Sequence, residues 1–225
     1  MGDDGRPDNP RRIVTLSGYW IYKNLVTVGM YKQYCSAQGV KMPQPPGGFW
    51  QLGVVNFNPR WSKEDHPIVN VTWNYAQEYC KWAGVILPTE AQWEKAARGT
   101  DGRKFPWGNK FDARNLWCSV KQRRDGTAPV GERGISPYGC NDMAGNVWQW
   151  CLDWYDAEYI TSEPCSNPTG PVAGQTRFLR GGSWIGSDPD NFSAARRIYD
   201  RPLSKLDFGG FRGASGVNIF AAILQ

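Results

Sequence analysis

Apolar positions recur with helical spacing in three stretches before Gly99 and lose that spacing after it. "GYWIYKNLVTVGMYKQYCSAQG" opens on a strand-like aromatic alternation from Tyr19 to Lys23. Thr27 then predicts an N-cap and Gly39 a stop, with a helix between them. "HPIVNVTWNYAQEYCKWAG" repeats this grammar: an extended apolar run, Thr72 as cap, a helix carrying Ala76, Tyr79, Cys80 and Ala83, and Gly84 as terminator. "LPTEAQWEKAARG" has the strongest helix signal. Thr89 with Gln92 makes a capping box, Glu90 suits the positive helix end, Trp93, Ala96 and Ala97 form an apolar stripe, and Gly99 ends it. Short extended pieces and Gly/Pro turns follow, among them "FPWGN", "MAGNVWQWCLDWY", "FLRGGSW" and "FGGFRGAS". The pattern predicts two or three helices, then short strands and loops.

Composition points the same way. Twelve Trp, ten Tyr and nine Phe, with 26 Gly and 16 Pro, suit an aromatic core joined by many turns. At 225 residues the chain can bury roughly 70% of its unfolded surface. The start, "MGDDGRPDNPRR", lacks the apolar core of a signal peptide and reads as a loose tail over residues 1–16. No low-complexity linker interrupts residues 17–225, so they read as one domain. No apolar stretch reaches 18 residues, so membrane insertion is not expected. The net charge of +5 is mild. Its one dense basic cluster, Lys121, Arg123 and Arg124, reads as a solvated loop, and no nucleic-acid partner is expected. Six Cys contain no CxxC pair. Cys35 and Cys80 read as buried free thiols, one or two disulfides stay open, and cytoplasmic residence fits.

In order along the chain, "HPIVNVTW", "LPTEAQWEKAARG", "FPWGN", "NDMAGNVWQW", "LRGGSW", "SAARR" and "GFR" resemble the formylglycine-generating-enzyme (sulfatase-modifying factor) family, over roughly residues 17 to 213. The resemblance implies an α+β domain with a variant of the C-type lectin fold: a small twisted antiparallel sheet, two to three short helices and much irregular structure. It also implies where chemistry would sit. The family's oxidases hold copper(I) and a substrate thiol with two cysteines shortly after "GGS", and soft thiolates are what copper(I) requires. Here Trp184 to Arg196 contains no Cys, and none lies beyond Cys165. A second enzymatic branch holds iron with three histidines, whereas this chain has only His66, which reads as a fold-supporting residue ahead of a proline. No catalytic residue is therefore expected. The alternative is a copper oxidase drawing on Cys140, Cys151 or Cys165, or a decayed pseudoenzyme or accessory domain.

One family calcium site would fall on Asn146, Val147 and Gln149, where Gln replaces a Glu and removes a negative charge. Asn115 and Leu116 resemble part of another. Calcium is the one cofactor left open; Asn146 reads more readily as an amide satisfying a turn.

One subgroup of this fold has the same turns and no catalytic cysteines: the variable proteins of diversity-generating retroelements. Their C-terminal segment is rewritten at adenines between fixed motifs. "GGSW", a triplet, "PDN", "AxR", a second patch and "GFR" is how such segments read. Here the triplet is Ile185, Gly186 and Ser187. The second patch is Ile198, Tyr199, Asp200, Ser204, Leu206, Asp207, Phe208 and Gly209. Every one of these residues can be reached from an AAC or AAT codon by adenine changes alone. The implied partner is a protein or other macromolecular ligand, bound as an antibody loop binds. Trp184, Ala194, Ala195 and Phe211 would be the scaffold. Ile185, Ser187, Ile198, Tyr199, Leu206 and Phe208 would form one exposed surface that tolerates substitution.

Overall fold

Three helices form where the caps predict them. The computed structural model describes residues 1–47, 57–120, 124–157, 159 and 163–216. Helix α1, Val28–Gln38, begins with the Thr27 side chain accepting from the Met30 N–H and stops at Gly39, at φ 65°. Helix α2, Trp73–Trp82, begins the same way, Thr72 accepting from the Tyr75 N–H. Helix α3, Glu90–Arg98, has both halves of the Thr89–Gln92 capping box. The strands are short: β1 Val14–Thr15, β2 Tyr19–Ile21, β3 Trp148–Tyr155, β4 Cys165–Ser166, β5 Thr176–Arg180, β6 Arg197–Asp200, β7 Gly209–Gly210 and β8 Ala214–Gly216.

The main sheet runs β6-β5-β3-β7. It is antiparallel across β6, β5 and β3, with β7 added in parallel to β3 at Trp148↔Gly209 and Gln149↔Gly210. Two small pairs stand beside it, β2 with β8 antiparallel and β1 with β4 parallel.

Side-chain alternation along these strands sorts the core into two layers. Trp150, Leu179 and Ile198 face the cluster holding Tyr31 and Tyr34 of α1 and Tyr79 of α2. Cys151 and Phe178 face the cluster holding Trp93, Ala96 and Ala97 of α3. Aromatic geometry locks the first layer: Tyr31 stacks on Tyr79 at 5.6 Å, and Phe211 meets Tyr79 edge-on at 5.3 Å.

The second layer buries charge. Arg197 donates from Nε and Nη2 to Glu90 at 2.8 and 2.6 Å, and Arg180 pairs with Glu94. Arg98 reaches Glu94 Oε1 at 3.0 Å. Burial pushes the Glu94 carboxyl up, but Arg180, Arg98 and the Gly2 N–H outweigh it and hold the pKa at about 2.

The N-terminal stretch, expected to be a loose tail, makes contacts with this cluster. The Gly2 N–H donates to Glu94 Oε1 at 2.7 Å, Asn9 Nδ2 donates to the Ala195 carbonyl at 2.9 Å, and the Asp8 carbonyl accepts from Arg197 at 2.6 Å. A buried carboxylate needs every lone pair answered, and the chain start supplies donors that α3 cannot. Of the basic cluster, Lys121 and Arg123 lie outside the described residues. Arg124 is half-buried over the Trp117 ring, 3.9 Å from its centroid, rather than solvated.

Candidate functional site: a bracketed surface segment

The turns at either end of residues 181–212 are buried. Gly181 and Gly182 sit at φ 100° and 77°, and a Cβ on Gly182 would lie 2.5 Å from Phe192 Cδ1, so only glycine fits there. Trp184 has no exposed surface. Its N–H donates to the Asn146 carbonyl at 2.9 Å, and its indole Nε1 donates to the Asp207 carbonyl at 3.2 Å. That second bond ties the near bracket to the far end of the segment. Phe211 and Arg212 are equally buried. Arg212 donates to Gln149 Oε1 and to the Asn141 carbonyl, both at 2.7 Å, and to the Tyr22 carbonyl at 2.9 Å. Ala194 and Ala195 are buried as expected of scaffold.

Between the brackets the side chains differ in burial. Ser187 and Tyr199 are exposed, and Leu203, which the sequence pattern did not single out, is 71% exposed at the turn after β6. It is an apolar residue between two patch positions, a signal that was present. Ile185, Ile198, Leu206 and Phe208 are half-buried against the α1/α2 cluster. Tyr199 lies elsewhere, stacked on Tyr155 at 3.8 Å and 10° on the α3 side of the sheet. The expected single exposed surface is therefore not what forms. Neighbours on a strand point to opposite faces, so Ile198 and Tyr199 cannot share one. Replacing all six positions at once would remove core contacts as well as surface.

Five further patch positions carry local structure. Ser204 Oγ donates to Asp200 Oδ1 at 2.7 Å, and the same oxygen accepts from the Arg201 N–H. A Cβ on Gly186 would lie 2.7 Å from Phe192 Cζ, and one on Gly209 would lie 2.9 Å from Leu206 Cβ. Asp207 is half-buried, its carbonyl taken by Trp184.

The calcium position does not fit a cation. Asn146 accepts from the Ala128 N–H at 3.1 Å and donates to its carbonyl at 3.2 Å, which is the turn-satisfying reading. Gln149 Oε1 accepts from Trp93 Nε1 at 2.8 Å and from the Arg212 guanidinium, while Nε2 donates to the Asp142 carbonyl at 2.7 Å. A fixed positive charge on the oxygen that would ligate calcium opposes binding. Asn115 lies at the end of a short 3₁₀ turn, followed by the buried Leu116.

The thiols are free: Cys35, Cys80, Cys118, Cys140 and Cys151 are buried and Cys165 is half-buried. Burial raises the thiols of Cys35 and Cys118, carries Cys80 up to about 12, and raises Cys151 well above the usual range. His66 is buried with Nδ1 2.9 Å from Thr127 Oγ1, which suits its fold-supporting reading.

Comparison with known proteins gives a consistent picture. The family described as "Sulfatase-modifying factor enzyme 1-like domain" matches residues 1–217. The chain is 37% identical over 188 residues to a formylglycine-generating enzyme of Thermomonospora curvata, covering 76% of this chain and 62% of that protein. It is 34% identical over 213 residues to an inactive C-alpha-formylglycine-generating enzyme 2 of Mus musculus, covering 87% and 64%. The chain thus spans a little over three fifths of these curated relatives. Among solved structures, Treponema denticola variable protein 1 superposes with a TM-score of 0.77 at 24% identity, covering 95% of this chain and 90% of that one. The architecture is the C-type lectin fold in its formylglycine-generating-enzyme variant.

Proposed function

The chain belongs to the sulfatase-modifying factor enzyme 1-like domain family, and from that premise we propose that it is a non-catalytic binding protein whose partner docks on the segment between Trp184 and Gly209. The observation that carries this reading is the tie between the brackets. Trp184 and Asp207 hold the two ends of the segment together, and Phe211 with Arg212 anchors it to the sheet, so its outer side chains sit on a rigid base. A loop held that way loses little entropy on binding, which is what a recognition surface needs. Ser187 and Leu203 are exposed members of the segment, and Tyr199, on the opposite face of β6 from Ile198, offers an exposed aromatic ring on the α3 side of the sheet. Ile185, Ile198, Leu206 and Phe208 contribute their outer edges.

Diversification by a retroelement is part of the proposal, and the occurrence of this fold in Treponema denticola variable protein 1 agrees with it. The partner is a protein or other macromolecule, not a nucleic acid and not a lipid interior; no helix among the described residues is long and apolar enough to cross a membrane. DNA flanking the gene tests diversification. A near-copy of codons 181 to 212, differing mainly at adenines and beside a reverse transcriptase, is expected; a single unduplicated copy with no such gene overturns it.

The 37% identity to a formylglycine-generating enzyme favours a second reading, an oxidase or its decayed relative. Incubation with a Cys-containing sulfatase peptide and copper(I) separates the two. We expect no aldehyde, because the stretch after "GGSW" has no thiol and burial holds the Cys151 thiol well above its usual range. Aldehyde formation that depends on Cys140, Cys151 or Cys165 would establish the enzyme.

A further inference from the structure

A cleft apart from the bracketed segment carries an unbalanced set of cations over aromatic walls. It has a volume of about 970 Å³, within the size range of small-molecule sites. Trp107 and Phe111 line it, together with four cations, Lys110, Arg114, Arg124 and Arg133, against one carboxylate, Asp112. Arg114 already takes that carboxylate, its Nε donating to both oxygens at 3.0 Å and its Nη2 to Oδ2 at 2.7 Å. Arg124 and Arg133 have no carboxylate partner among the described residues. Both lie over the same indole, Trp117, at 3.9 and 5.5 Å from its centroid. Arg124 Nε reaches only the Cys118 carbonyl, at 3.3 Å, and Arg133 Nε is buried with no hydrogen-bond partner among the described residues.

With no carboxylate partner among the described residues, the two half-buried guanidiniums on the Trp117 face leave positive charge at the cleft wall, which an anion would neutralise. The indole fixes their direction, so their forks are presented rather than free. Planar forks of this kind match the oxygens of phosphate or carboxylate in pairs. The cleft is far larger than a lone phosphate, and the half-exposed Trp107, stacked on Phe105 at 5.5 Å, offers a flat apolar wall to one side. We infer that this cleft binds a small ligand that joins a multiply charged phosphate to a flat ring, the chemistry of a nucleoside diphosphate. Arg124 and Arg133 take the phosphates, Arg114 and Lys110 add long-range attraction, and the ring lies along Trp107. The Arg124 N–H donates to Ser119 Oγ, which donates to the Trp184 carbonyl, so an occupied cleft also stiffens the near bracket.

The test is titration of the whole chain with ADP, inorganic pyrophosphate and adenosine, read by calorimetry and by quenching of tryptophan fluorescence. Saturable ADP binding is expected, weakening with salt, with pyrophosphate weaker and adenosine weaker still. Arg124→Ala with Arg133→Ala should lower ADP affinity by about tenfold or more, two charge-assisted contacts being removed. Because Arg124 also buttresses Trp117, Arg114→Glu serves as a second variant. Its side chain is 89% exposed, so the fold is kept while the charge beside the cleft reverses, and weaker ADP binding is again expected. Absence of saturable ADP binding, or affinity unchanged in both variants, overturns the site. Pyrophosphate binding as tightly as ADP overturns the ring assignment.

Discussion

Trp184→Ala tests whether the brackets are structural. The indole is fully buried, meets Phe57 edge-on at 5.3 Å, and donates Nε1 to the Asp207 carbonyl at 3.2 Å. Truncating a buried Trp costs about 3–5 kcal/mol. The lost hydrogen bond adds about 1 kcal/mol, though not independently. For a chain of this length each kcal/mol moves the melting temperature by about 2–4 °C, so a drop of roughly 8–24 °C is expected. Differential scanning calorimetry measures it, and hydrogen exchange adds the local consequence. Amides between Ser204 and Gly209 should lose protection, because the indole is what holds the Asp207 end. Ser187→Ala is the control, expected within about 0.5 kcal/mol of the parent as an exposed position. Tyr199→Ser should cost about 1 kcal/mol through loss of its stacking on Tyr155. If Trp184→Ala melts within about 4 °C of the parent, or Ser187→Ala falls as far, the division into rigid bracket and displayed segment is wrong.

Gly182→Ala should destabilise by about 1–3 kcal/mol, because its φ of 77° and the nearness of Phe192 both oppose a methyl group; an unchanged melt would contradict the close approach. A thiol reagent on the native protein should modify Cys165 promptly and the other five only on unfolding, and rapid loss of several thiols would show that they are accessible. Asp153 is buried beside Glu90, and burial first, then that neighbouring charge, raises its pKa to about 7. Between its unfolded value and about 7 the folded state holds the extra proton, so this carboxyl favours folding at low pH and withdraws that support as pH rises through about 7. Asp153→Asn keeps an oxygen for the Glu90 N–H and removes the titration, so melts from pH 5 to pH 8 should slope less steeply in the variant; equal slopes would exclude Asp153 as the source.

The sequence by itself determined the local elements. Thr27, Thr72 and Thr89 each cap the helix they predict, because a cap depends only on residues within one turn of it. It also determined the brackets. Glycines at positive φ beside a tryptophan are a local signature, and Trp184 and Phe211 are buried as read. The want of cysteine between Trp184 and Arg196 needs no coordinates at all. Tertiary structure alone decided the rest, since each case joins residues far apart in the chain. The N-terminal segment is folded because Glu94, some 90 positions away, is buried and needs its donors. Ile198 and Tyr199 are neighbours in sequence, yet the pairing of β6 with β5 sends one to the α1/α2 cluster and the other to Tyr155. The same distance hides the calcium outcome, because Arg212 reaches Gln149 only once β7 lies beside β3. A one-dimensional pattern records which residues are apolar or small; which face each one occupies is set by strand register, and register belongs to the assembled sheet.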